Sequence, residues 1–423
     1  MKTKYDLIVV GGGFAGVSSA IQAAKNGLDV LLIEKYNCLG GAASNALVMP
    51  FMKYWTNDAE TKEKKYLCGN LFLEIIDEMR KESGTEKDLG VNDISFDEEI
   101  LKLILNRMCI KYGVTLLFNT TVTKTDVSDK KICSITAFGK SMELKLFADT
   151  FIDATGDGEL SYLAGCKYIL GREKDNLCQP MTLCFRLSGV DKKKFLENRH
   201  KINPLYKEFK QKGLIKNVRE DVLIFSNFND GVLHFNSTRI VKKNPTDPFE
   251  ITQSEIEARE QVFELHNFLK ENIEGFENSR VLSTALLIGI RESRKIVGEY
   301  TLCENDLKSL ARFNDAIAVA NYDIDIHNPE GEGTSHFFFG DGKWYQIPYR
   351  CLIPKNMDNL LVAGRCISST HEAQASYRIM PYCAEIGQAA GVAAYVAKKD
   401  NKDVRYADIE KIQKILRNEG FMI

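Results

Sequence analysis

Residues 11–45 read GGGFAGVSSAIQAAKNGLDVLLIEKYNCLGGAASN. Gly11, Gly13 and Gly16 fit the spacing G-x-G-x-x-G. The apolar, β-branched run at 5–10 predicts a buried strand before them. Phe14, Val17, Ala20, Ile21 and Ala24 follow at helical spacing, and Asn26-Gly27 predicts the helix end. Residues 29–33 predict a second strand, closing a right-handed βαβ unit. Each glycine then has a physical task. The first permits a tight turn, the second lets a pyrophosphate approach bare backbone, and the third lets helix and strand pack closely. The helix N-terminus, with free N–H groups and the positive end of the dipole, would hold the pyrophosphate. Glu34 ends the second strand, 18 residues after Gly16. Its carboxylate there can accept hydrogen bonds from a ribose 2′-hydroxyl and would repel a 2′-phosphate. The stretch therefore predicts a dinucleotide with an unphosphorylated adenosine ribose.

The remainder of the chain bounds that reading. It has 423 residues, enough for two or three domains. Hydrophobic residues make up 44% and charged residues 27%, with a net charge of −2. This balance gives no reason to expect nucleic acid as a partner. A local excess of Lys and Arg over 191–221 reads as a solvated helical face or as a site for an anionic ligand. No run of about 18 apolar residues suggests a membrane span, and 5–12 lacks the length of a signal peptide. Without export, the eleven cysteines should be reduced thiols, and a cytoplasmic location is expected. Their spacings match no zinc or iron–sulfur pattern, and no metal is expected.

Amphipathic helices are predicted over 69–81 and 97–111. A β-meander is predicted over 113–124, 131–139 and 142–148, and a separate buried strand over 151–154. The texture changes near Gln179. Strand-like runs at 181–188 and 222–240 flank the basic stretch. A helix over 252–272, opened by Thr252 or Ser254, and an apolar strand over 280–290 follow. Residues 359–363 then predict a strand and 381–397 a helix rich in Ala and Gly. A domain inserted into another explains this order better than two domains in series.

Three features favour FAD over NAD. Gly40-Gly41 follow Glu34 closely, as if the cofactor continued past that loop. The strands at 151–154 and 361–363 both end in small residues, Thr155-Gly156 and Gly364. Pro381 suits a first helical turn, and the helix start would face the negative charge that reduced flavin gathers. A cofactor met by both chain ends should be long and extended.

The sequence resembles bacterial FAD-dependent oxidoreductases of the glutathione-reductase-like superfamily. Within it, the sequence resembles the branch that includes fumarate reductase and the flavin subunit of heterodisulfide reductase. The resemblance rests on GGGFAG at 11–16, Glu34, LGGAAS at 39–44, FIDATGDGELSYLAG at 151–165, GIRESRKIVGEY at 289–300 and NLLVAGRCISSTHEAQASYRIMPYCAEIGQAAG at 359–391. It implies that Gly11, Gly13 and Gly16 hold the pyrophosphate, and that Glu34, with Lys35 beside it, meets the adenosine ribose. Val122 would meet adenine through its backbone. Gly40, Gly41, Ala42 and Ser44 would approach the pyrophosphate-to-flavin stretch. Ala154, Thr155 and Gly156 would pass the adenosine half, Gly364 and Arg365 the ribityl–pyrophosphate part, and Ile379 and Met380 the flavin ring. LGGAAS offers no histidine for a covalent flavin, so the FAD should be non-covalent. Cys38 has no partner for a redox disulfide.

For the chemistry, His371 is a candidate acid or base. Arg378 occupies a place like that of the arginine that grips a substrate carboxylate in fumarate reductase. Arg291, Glu292 and Arg294 form either an ion network or part of a substrate pocket, and Arg350 and His336 complete the candidates. Phe337, Phe338, Phe339, Trp344 and Tyr345 could wall a pocket or serve as plain packing. The expected protein is an α/β chain with a doubly wound Rossmann-like FAD-binding domain over 1–178 and 280–423. A mixed α+β substrate domain is inserted over 179–279. Its expected activity is FAD-dependent hydride transfer with a small organic substrate that could carry a carboxylate. The alternatives are an NAD-binding dehydrogenase without flavin, and an FAD-binding electron-transfer or sensor module without its own substrate. The electron acceptor is unknown, and a homo-oligomer is open.

Overall fold

The computed structural model describes residues 2–85 and 95–423. Its first strand, Lys4–Val10, is almost wholly buried and runs parallel to Val30–Ile33 on one side and to Met142–Asp153 on the other. Thr115–Leu117 and Leu360–Val362 extend the parallel set outward. The parallel order is therefore 115–117, 30–33, 4–10, 142–153, 360–362, with antiparallel Lys131–Gly139 and Thr121–Ser128 on the amino half of the long strand. Val10, Ile33, Leu117, Asp153 and Val362 stand in register. All five parallel strands thus end along one edge, which is where ligands bind in such sheets.

Small residues bring the two ends of the chain together. Helix Phe14–Lys25 lies against helix Met380–Lys399. A Cβ on Gly387 would collide with the carbonyl of Ala15, and one on Gly391 with the carbonyl of Ser19. The Ser19 hydroxyl donates to the carbonyls of Ala15 and Gly387 at 2.7 and 2.8 Å. Gln388 Nε2 donates to Gln22 Oε1 at 2.8 Å.

A second, antiparallel sheet orders Ile224–Ser226, Leu233–Phe235, Phe185–Ser188 and Arg280–Thr284. Phe185 and Phe235 stack at 4.7 Å between its strands. Helices Lys192–Gln211 and Pro248–Asn272 contribute Phe195, Tyr206, Val262 and Phe268 to the core with them. The boundary expected after 279 falls inside this sheet, because Arg280–Thr284 pairs with Phe185–Ser188 and Ala285 and Ile288 belong to the same core. The first core resumes by Ile296.

Other local expectations shift for identifiable reasons. Residues 142–153 form one strand rather than two. Its first part is largely exposed in the meander and its last four residues are buried in the parallel sheet, so the burial pattern changes without a break. The strand expected over 113–124 is interrupted at Asn119, whose φ is +53°. The long helix starts at Pro248, capped by Asp247. The hydroxyls of Thr252 and Ser254 instead bond back to the carbonyls of Pro248 and Glu250. Among the described residues no helix is long and apolar enough to cross a membrane.

Gly387→Ala tests the helix contact by its sign. Helix propensity alone would stabilise the variant by about 1 kcal/mol. Overpacking against the Ala15 carbonyl should instead destabilise it by about 1–3 kcal/mol. A urea midpoint at or above that of the parent would contradict the close contact.

Candidate cofactor and substrate site

The glycine turns sit where the strands end. Gly11 has φ +104°, and a Cβ there would lie 2.5 Å from the Ala154 carbonyl oxygen. A Cβ on Gly16 would collide with the Gly11 carbonyl. These two glycines are required by packing. Gly13 differs: the nearest atom a Cβ would meet is Gly41 Cα at 3.9 Å, and the residue keeps some solvent access. It is therefore the one placed to face a ligand. Gly40 and Gly41 turn the second loop with φ +105° and +54°, ahead of the short helix Ala42–Asn45.

A pyrophosphate needs unspent backbone N–H groups. Helices Glu98–Lys111, Lys192–Gln211, Pro248–Asn272 and Ile409–Asn418 each open on an Asp whose carboxylate accepts from the first turn. Helices Phe14–Lys25, Ala42–Asn45 and Met380–Lys399 have no side-chain cap and no acid in the first turn. Ala43 N donates to the Gly40 carbonyl and Pro381 has no N–H, and the remaining opening amides are left for another acceptor. Ser44 Oγ and Asn45 Nδ2, at the same place, are buried without a hydrogen-bond partner. Gly11, Gly13, Gly41, Thr155, Gly156, Arg365 and Met380 all keep partial access, and Ala42 is exposed. This is the accessible backbone that an extended dinucleotide requires, and the residues present fit FAD.

Glu34 is buried and accepts from Gly12 N at 2.5 Å and Tyr36 N at 2.9 Å, one bond to each oxygen. Each oxygen keeps a lone pair for a ribose hydroxyl. Burial raises this carboxyl above its ordinary value despite the two N–H donors. Thr120 N donates to the Glu34 carbonyl, which brings the strand carrying Val122 to this end. Val122 itself is buried and in register with Ala137. Lys35 pairs with Glu159 at 2.8 Å. Ala154 N bonds to the Val10 carbonyl, tying the Thr155-Gly156 turn to the first strand.

Arg365 is partly accessible, and its side chain is tied to protein partners. Its guanidinium donates to the carbonyls of Gly156 and Ile290, both at 2.8 Å, and to the Asp157 carboxylate. It joins the Gly156 turn to the segment that carries Arg291. Gly364, φ +89°, is buried just before it, and Ile379 is buried beside the partly accessible Met380.

The expected chemistry residues divide into two groups. His371 Nδ1 lies 2.7 Å from Glu292 Oε2. Glu292 Oε1 accepts from Lys295 at 2.5 Å, and all three side chains are buried. Burial works against the Glu292 charge, yet His371 and Lys295 hold this carboxyl below its usual value. His371 is thereby fixed in orientation, with Nε2 left for other contacts. The second group surrounds Arg291. Its guanidinium donates to Pro180 O at 2.7 Å and Thr182 Oγ1 at 2.6 Å, and its carbonyl accepts from Gln374 Nε2 at 2.8 Å. Arg378 Nη2 lies 3.4 Å from Asp325 Oδ2, while its Nε has no partner.

Sequence reasoning missed Asp325, His327, Arg219 and Arg239. Asp325 and His327 share one face of strand Ile324–His327, and the alternation IDIH carried that signal. His327 Nε2 stands 3.3 Å from Asp325, and Nδ1 stands 3.2 Å from Arg239 Nη2. The fitting tautomer is neutral, with Nε2–H toward Asp325. Burial and the Arg291 charge push His327 down to about 3. Burial opposes ionisation of Asp325, but His327, Arg378 and Arg291 hold it well below the usual carboxylate range. His336 pairs with Asp325 across the sheet and its Nδ1 stands 3.7 Å from Asp325 Oδ1, whereas Arg350 and Arg294 lie elsewhere. Arg350 pairs with Asp315 at 2.9 Å on the surface, and Arg294 sits over the Tyr162 ring at 4.4 Å. Phe337 and Phe338 are exposed, whereas Tyr345 is fully buried.

Exchange of Glu34 for Ala is expected to weaken FAD retention about ten- to a hundredfold, the range for losing hydrogen bonds to a charged acceptor. Release measured by flavin fluorescence checks this, and unchanged retention would contradict the ribose assignment.

A digeranylgeranylglycerophospholipid reductase of Methanocella arvoryzae is 30% identical over 169 residues, 37% of this chain and 40% of that protein. Glutathione reductase of Debaryomyces hansenii is 49% identical over 53 residues, 12% of this chain and 11% of that protein. The chain thus spans less than half the length of these relatives. A geranylgeranyl bacteriochlorophyll reductase-like structure from Thermoplasma acidophilum covers 98% of this chain and 84% of its own, at 13% identity and TM-score 0.47. The family model described as FAD dependent oxidoreductase matches residues 6–416, nearly the whole chain, and the chain belongs to that family.

Proposed function

We propose that this enzyme transfers hydride between a non-covalently held FAD and a small organic substrate bound between the second sheet and helix His371–Tyr377. FAD supplies the two-electron chemistry when bound. The observation that carries the reading is the meeting of both layers at one place. Arg291, whose carbonyl accepts from Gln374 and whose neighbour Ile290 accepts from Arg365, bonds to Pro180 and Thr182 of the second layer. Arg378, two residues before Met380, adds a guanidinium from the cofactor side.

In this reading the protein binds, orients and moves protons. Arg378 orients the substrate through its unpartnered Nε. His371 exchanges a proton through Nε2, while the buried Glu292 and Lys295 fix its ring. Neutral His327 and ionised Asp325 keep the pocket polar and set the position of Arg378. LGGAAS offers no histidine for a covalent link, which supports dissociable FAD.

The test is anaerobic. Candidate donors are screened for bleaching of the flavin absorbance, then candidate acceptors for its return. A small organic donor that bleaches the wild-type protein is expected to do so about a hundredfold more slowly with His371→Gln, the scale of a lost proton-transfer group. Arg378→Ala should lower kcat/KM at least about tenfold. Bleaching by protein electron carriers alone, and by no small organic donor, would contradict the reading.

A further inference from the structure

Charge in the Arg291 neighbourhood does not balance. Arg219, Arg239 and Arg378 each have a carboxylate: Asp221 at 2.8 Å, Glu220 at 2.9 Å and Asp325 at 3.4 Å. Arg291 has none among the described residues. Its acceptors are the neutral Pro180 carbonyl, Thr182 hydroxyl and, at 3.5 Å, Asn236 Oδ1. His327 is neutral and supplies no charge of either sign. The cluster therefore holds one positive charge more than it cancels.

Donors are in excess as well. Arg219 is 4% exposed, and its Nη1 is buried without a partner. Arg378 Nε is in the same condition, and Arg291 Nη2 has only the long bond to Asn236. Arg219 and Arg378 both lie close enough to Arg291 for their charges to weigh on it. A partly buried cation without a counter-charge is costly to keep, and an unmade buried hydrogen bond adds to this. One anion would correct both deficits.

We infer that Arg291 seats a single carboxylate of the substrate, with Arg219 and Arg378 supplying further donors to it. The inference rests on the substrate position proposed above and deepens it. A carboxylate presents two acceptor oxygens to the guanidinium fork and one negative charge. A phosphate dianion would overcompensate by one charge beside the ionised Asp325. Arg219 reaches the site from the segment between helix Lys192–Gln211 and the second sheet, so both layers hold the anion.

The test uses the FAD-loaded protein and needs no turnover. FAD content is measured first, and a protein without FAD would overturn the earlier reading rather than this one. Benzoate, benzamide, acetate, acetamide and inorganic phosphate are then titrated, following calorimetric heat and the flavin spectrum. The expected result is saturable 1:1 binding of a monocarboxylate, with its amide at least about tenfold weaker. Arg291→Gln should weaken carboxylate binding about ten- to a hundredfold, and Arg291→Lys by less, since it keeps the charge but not the fork. Equal binding of acid and amide, tighter binding of phosphate, or carboxylate binding by a folded Arg291→Gln protein at wild-type strength would overturn it. The comparison of acids with amides decides the matter on wild-type protein even if Arg291→Gln does not fold.

Discussion

The contact between helices Phe14–Lys25 and Met380–Lys399 governs what the rest of the molecule can do. It exists because Gly387 and Gly391 have no side chain to hold the helices apart. One helix follows the first strand, and the other follows Leu360–Val362 and the short helix His371–Tyr377. Bringing them together places two uncapped helix starts along one sheet edge. Those starts carry the positive ends of helix dipoles and unspent amides. A pyrophosphate and a flavin that gathers negative charge are suited to such surroundings, and an Asp cap like those opening four other helices would have cancelled the advantage.

The second layer answers a different requirement. FAD needs its reacting ring covered and its partner oriented, and a sheet inserted between the two parts of the first layer can do both. Arg365 links the layers mechanically, since one guanidinium holds the Gly156 turn and the Ile290 carbonyl together. Arg291, the next residue in the chain, then extends toward Pro180 and Thr182. The position of the cluster follows from backbone already fixed by the cofactor layer.

The glycine loop, Glu34 and most helices and strands were legible because their signals are local. Spacing of three to four residues, alternation and turn glycines are all contained in short windows. The end of the second sheet was not legible, because Arg280–Thr284 pairs with a strand nearly a hundred residues earlier in the sequence. The resemblance gave Arg365 a place near the ribityl–pyrophosphate part but no side-chain partners, because Asp157 and Ile290, which direct its guanidinium, are distant in sequence. The basic stretch from Asp191 read as a solvated face or an anion site, and its parts differ in exposure. Lys193 and Lys194 lie in the exposed part of the helix, while Arg219 is turned inward. His371 was found from its motif, but its partner Glu292 lies 79 residues away in the chain, and only the fold joins them.

The central claim is that one extended FAD runs along the common edge of the five parallel strands, between the two ends of the chain. A crystal structure of the FAD-loaded protein tests this most directly. The account requires the adenosine ribose at Glu34, the pyrophosphate over the amides that open helices Phe14–Lys25 and Ala42–Asn45, and the isoalloxazine beside Met380. An adenosine placed away from Glu34, or a flavin ring out of reach of residues 379–380, would contradict it.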